Sequence, residues 1–221
     1  MRKVFEIGGI VAAAVLVAFG VAAIVMGVNG RSTVQSSLKL EQIVGSSDMT
    51  PAAIKVEAQK AGIPASVQLP TVAVAGQSID TGARARAFAS YMRIHTLEAT
   101  GGLTYAQMGQ YTAKPGTPVK FTDGHGGTSI ATYAALDPKT QQPVANGLRD
   151  LWVTETALTT ALNTSYMAEQ LSLFGIVVGI ALLLAGIGFA ILAIGGALRT
   201  DALGVFSKWS KPGSARVIPT I

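Results

Sequence analysis

Two long runs of apolar residues, one near each end of the chain, dominate its pattern. Residues 7–28, IGGIVAAAVLVAFGVAAIVMGV, form 22 positions without a charge, and residues 171–198, LSLFGIVVGIALLLAGIGFAILAIGGAL, form 28. At about 1.5 Å rise per residue, roughly 20 apolar residues cross a bilayer core, so each run predicts a transmembrane helix. Arg2 and Lys3 give the first run a basic start, as in a signal peptide. The run is longer than a signal core of about 7–15 residues and VMGVNGRS offers no A-x-A-like site, so the pattern predicts an uncleaved anchor.

Between the runs the periodicity is shorter and punctuated. NGRSTVQSSLKLEQIVGSSD predicts a helical continuation of the first span that ends near Gly45. In MTPAAIKVEAQKAGIP, Thr50 suits an N-cap, Pro51 the first helical position, and Gly62 and Pro64 the end. ASVQLPTVAVAGQS is predicted extended, with Pro70 restricting it to an edge or irregular strand. A second helix starts at Asp80 or Thr81. It carries Phe88, Tyr91, Met92 and His95 at i, i+3, i+4, i+7 spacing and stops at Gly101-Gly102. Thr104 and Gln107 have capping-box spacing and predict a further short helix. Residues 112–146, with four prolines and DGHGG, predict a long irregular segment. From 148 to 174 no Gly or Pro interrupts the chain, and Leu148, Leu151, Trp152, Leu158, Leu162 and Tyr166 make one apolar stripe. That stripe predicts a helix continuous with the second span, packed against the Phe88–His95 face. The fold class expected is mostly α: a two-span transmembrane helical hairpin with an α-rich extracytoplasmic domain between the spans.

Composition agrees, since 49% of the 221 residues are hydrophobic and only 13% charged. Charge then orients the chain. Residues 1–28 and 171–221 carry six basic and two acidic residues, a net of +4; residues 29–170 carry eleven and ten, a net of +1. Clustered Lys/Arg stays inside while long loops translocate largely regardless of charge. Four segments result: a cytoplasmic stub and first span at 1–28, an extracytoplasmic domain at 29–170, a second span at 171–198, and a basic cytoplasmic tail at 199–221. The overall +5 is then mostly topological and implies membrane lipid rather than nucleic acid as surroundings. The absence of cysteine excludes disulfides, thiolate metal sites and cysteine nucleophiles.

Candidate chemistry is sparse. His95 and Glu98 sit one helical turn apart, and Asp123 and His125 share the loop TDGHGG; together they would offer two imidazoles and carboxylates for iron, zinc or copper. No spacing rule joins the two pairs, and His95 also continues an apolar stripe. DGHGG lacks the G-x-x-x-x-G-K-[ST] order of a phosphate cradle, and VTETALTTALNTSY supplies no serine–histidine–acid set. No catalytic residue and no cofactor are expected. The spans carry small residues four apart, Gly8/Ala12, Gly9/Ala13, Gly175/Gly179, Ala181/Ala185 and Gly186/Ala190, a spacing that lets helices approach closely in lipid.

The strings NGRSTVQSSLKLEQIVGSSDMTPAAIK, ARAFASYMRIHTLEATGGLTYAQMGQY and LWVTETALTTALNTSYMAEQLSLFGIVVGIALLLAGIGF resemble a group of two-span actinobacterial membrane proteins. These carry the label aromatic ring-opening dioxygenase, protocatechuate 4,5-dioxygenase small-subunit type. The likeness covers nearly the whole chain apart from 112–146 and the tail. It implies topology and lineage and assigns no catalytic residue. Such a dioxygenase would use an iron held by two His and one carboxylate on a cytoplasmic aromatic, whereas both histidines here are expected outside. The function expected is a non-enzymatic accessory or scaffold subunit of a cell-envelope membrane complex, with other membrane subunits as partners. The alternative is an extracytoplasmic metal-dependent enzyme or metal chaperone using His95, Glu98, Asp123 and His125.

Overall fold

The computed structural model describes residues 2–195. The basic tail expected at 199–221 lies outside the described residues. Four helices dominate: α1 (Arg2–Leu40), α2 (Pro51–Lys60), α3 (Gly82–Ala99) and α4 (Gly147–Ile194). A two-stranded antiparallel sheet, β1 (Tyr111–Thr112) with β2 (Gly127–Thr128), and two 3-10 turns complete the regular structure among the described residues. α1 and α4 are both long and apolar enough to cross a membrane, and only 17% of the most apolar window of each is buried. Contacts divide the chain into two units, one of residues 1–29 with 172–221 and the other Gly30–Leu171.

In the first unit, α1 and α4 meet along a seam with almost no side chain. A β-carbon on Gly179 would lie 2.7 Å from the Gly20 carbonyl oxygen, and one on Gly20 would lie 2.8 Å from that of Gly179. The same closeness recurs along the seam. A β-carbon on Gly27 would fall 2.6 Å from the Ser172 carbonyl oxygen, and one on Gly186 would fall 2.9 Å from the Val17 nitrogen. Ala13, Gly20 and Gly27 are buried seven apart on α1, as are Gly179, Gly186 and Ala193 on α4. A seven-residue repeat keeps one face over its partner along the whole crossing, as in coiled coils. For helices that cross a bilayer, where lipid gives no hydrophobic drive between them, such backbone closeness supplies the attraction. Gly175 stands farther out, with a β-carbon 3.8 Å from the Ala23 carbonyl oxygen, Gly9 is buried, and Gly8 faces open space.

The second unit is organised around an apolar core. Ile54 and Ala58 of α2, Phe88, Tyr91 and Ile94 of α3, and Trp152 and Leu162 of α4 belong to one cluster, against which Met92 and Leu158 pack. Local chemistry explains the helix ends. The Thr50 hydroxyl accepts from the Ala53 amide at 3.2 Å ahead of Pro51, and the Thr81 hydroxyl accepts from Arg84 at 3.4 Å. Gly101 and Gly102, at φ +63° and +82°, turn the chain after α3 through left-handed backbone open to glycine. The Asn146 side chain accepts from Leu148 at 3.1 Å and so starts α4. Trp152 donates from its indole nitrogen to the Leu103 carbonyl at 2.9 Å, and the Arg93 guanidinium lies 5.4 Å from its ring centre.

Three elements differ from the sequence pattern. α1 stops at Leu40, before Gly45. The Thr104–Gln107 box does form, with the Thr104 amide donating to the Gln107 side chain at 2.8 Å, yet the segment is a turn. Gly109 follows two residues later and packs so tightly on Thr128 that a β-carbon would not fit, and no helix forms there. The segment 112–146 is not a bare loop. It is tied by β1–β2 and by single bridges such as Tyr111 to Ala145 and Leu136 to Pro143. Residues 65–78 likewise make only bridges, Ala75 to Gly45 and Ser78 to Val44.

Candidate metal centre

The side chains that come together do not match the sequence pairing. Among the described residues, the group of three that could hold an ion is Asp48, Glu57 and His95, whose donor atoms lie within 4.8 Å of one another. Asp48 precedes the Thr50 cap, Glu57 lies in the last turns of α2, and His95 lies in the last turns of α3. Met49, Ile54 and Ala58 are buried around the first two, so the packing of α2 on α3 brings the carboxylates to the imidazole.

His95 Nδ1 is 2.6 Å from Glu57 Oε1, while Nε2 is 3.9 Å from Asp48 Oδ2. Nε2 is buried and has no hydrogen-bond partner. Glu98, one turn after His95, shares a hydrogen bond with Glu57. That bond is the main reason the Glu98 carboxyl is held above its usual range, with burial and the Glu57 charge adding and His95 and Lys60 opposing. The Asp48 carboxyl is held below its usual range, first by the Ser46 hydroxyl, against a smaller effect of burial. The Asp48 carboxyl faces the Nε2 edge of the imidazole.

Asp123 and His125 lie elsewhere and have another task. Asp123 accepts from three backbone amides, Gly109 at 2.8 Å, His125 at 2.9 Å and Gly127 at 2.8 Å. Burial pushes its pKa up, but the three amides outweigh it and the net direction is down. The carboxylate closes the DGHGG turn against β2, and the exposed His125 ring covers Gly101 at the end of α3. Of the four residues singled out in the sequence, His95 and Glu98 thus share a site and Asp123 and His125 stand apart from it. Asp48 and Glu57 are joined to His95 by contacts 47 and 38 residues apart in the chain, which no local spacing displays.

No family model, curated protein or solved structure matches the chain.

Proposed function

We propose that the protein is a non-enzymatic accessory or scaffold subunit of a cell-envelope membrane complex, from the lineage of two-span actinobacterial proteins its sequence resembles. In this reading both termini are cytoplasmic and the second unit, with its α-rich core, stands on the outer side, as the +4 against +1 charge split favours. The observation that carries the proposal is an apolar groove of about 550 Å³ in the second unit, lined by Tyr105, Trp152, Val153, Thr156, Ala157 and Thr160. Val153 is 56% exposed there. A concave apolar strip on a water-facing unit suits a protein partner. Val153, Thr156, Ala157 and Thr160 follow helical i, i+3, i+4, i+7 spacing, and the small side chains among them leave room for a close helix, so the occupant is an α-helix of another subunit.

Purification in mild detergent tests the proposal. A partner protein should appear in fixed ratio with the wild-type chain and be lost from Val153→Arg, which places a charge in the groove without touching the core. A lone monodisperse protein, or a partner retained by Val153→Arg, counts against it.

A further inference from the structure

We propose that Asp48 and His95 form a divalent transition-metal site, the ion bridging Asp48 Oδ2 and His95 Nε2 while Glu57 holds the imidazole in place from Nδ1. The geometry has two independent parts. The first is the carboxylate on Nδ1, 2.6 Å away: the tautomer that donates from Nδ1 to Glu57 turns the Nε2 lone pair toward Asp48, where it can serve as a metal donor. A carboxylate behind a metal-binding histidine is the usual way its tautomer and ring angle are set. The second is the state of Nε2 itself. It is buried, it has no hydrogen-bond partner, and at 3.9 Å Asp48 Oδ2 makes at most a long ion-pair contact, too far for a hydrogen bond.

That separation suits an ion. Zinc bonds to imidazole nitrogen and carboxylate oxygen of about 2.0–2.2 Å each span slightly more than 4 Å end to end. Donors 3.9 Å apart therefore hold an ion at a wide angle, and a small inward turn of Asp48, whose side chain is 50% exposed, narrows it. The exposed side leaves the remaining positions to water. Glu98, which interacts with Glu57, is not among the three residues whose donor atoms gather at the site. One imidazole, one carboxylate and no thiolate favour zinc and its borderline neighbours over copper(I), and the imidazole disfavours magnesium and calcium.

The experiment is zinc titration calorimetry on the full chain in detergent, freed of any histidine tag, with bound zinc counted by elemental analysis. Wild type should saturate at one equivalent, and millimolar Mg²⁺ or Ca²⁺ should not compete. His95→Ala and Asp48→Asn should abolish stoichiometric binding. Glu57→Gln, which keeps an acceptor for Nδ1–H but loses its charge, should weaken binding about 10–100-fold. His125→Ala should bind as wild type. Asp48 is on the surface, so its variant keeps the test open if His95→Ala does not fold. Substoichiometric zinc in wild type, unchanged binding by Asp48→Asn, or an equal loss in His125→Ala overturns the proposal.

Discussion

Each of the two units of the chain is held together internally, and by opposite means. Along the spans, residues as small as glycine let two backbones touch, and the close approach of Gly20 to Gly179 is the cohesive contact. In Gly30–Leu171, large side chains leave water together, with Tyr91, Ile54, Ile79 and Ile94 fully buried. Lipid is as apolar as leucine, so side-chain volume does little to join helices there, whereas in water it is the main driving force. Polar groups follow the same division. In the second unit a buried carboxylate is held by the donors around it. Glu169 accepts from Arg31 at 3.0 Å, Gln35 at 2.9 Å and the first amide of α3, Gly82, at 2.5 Å.

If this contrast is right, removing volume should harm the second unit and adding volume should harm the first. The largest effect is expected from Trp152→Ala, which empties a core site 4% exposed and removes one of the two side-chain hydrogen bonds to the Leu103 carbonyl, leaving that from Thr100. It should cost about 3–5 kcal/mol, while exposed Thr154→Ala two residues on costs under about 0.5 kcal/mol. Thermal unfolding in detergent measures both, and a tolerated Trp152→Ala would break the account of this core.

Adding volume comes next. Gly179→Leu places atoms against the backbone of Gly20 and Ile24, which cannot swing aside, so the span pair should lose about 3 kcal/mol or separate. Gly8→Leu, in open space, should change nothing. Cysteine cross-linking between Ala13 and Gly186 reads the pair directly, and equal effects of the two leucines would contradict the seam.

A smaller effect concerns acid. The folded pKa of Asp123 lies below its unfolded value, so its contribution is complete above about pH 4 and is lost as pH falls through the lowered value. Asp123→Asn should cost about 1.5 kcal/mol at neutral pH and flatten the acid limb of the stability profile. A variant with an unchanged acid limb would assign that limb to other carboxylates.

These contrasts also show which features the sequence could display. The spans, the Thr50 and Thr81 caps, the Gly101 stop and the long reach of α4 are local, written by composition or by residues within one turn. The seam was only half visible. A search for small residues four apart selects Gly8 and Gly175, yet the helices cross along positions seven apart, and Gly20 and Gly27 belong to that longer repeat. β1 and β2, two residues each, are too short for any alternation to register. The candidate centre was visible only at His95 and Glu98. Its other members, Asp48 and Glu57, arrive through packing of α2 on α3, and no local pattern foretells which loop will face a helix.

The proposed topology, a two-span hairpin with Gly30–Leu171 outside the cell, is the reading on which the proposed function rests. A chain without cysteine permits a direct measurement, because one introduced thiol is the sole target of a membrane-impermeant reagent. Ser47→Cys should be labelled on intact cells, and Ser214→Cys only after the membrane is opened. Labelling of Ser214→Cys alone on intact cells would contradict the account.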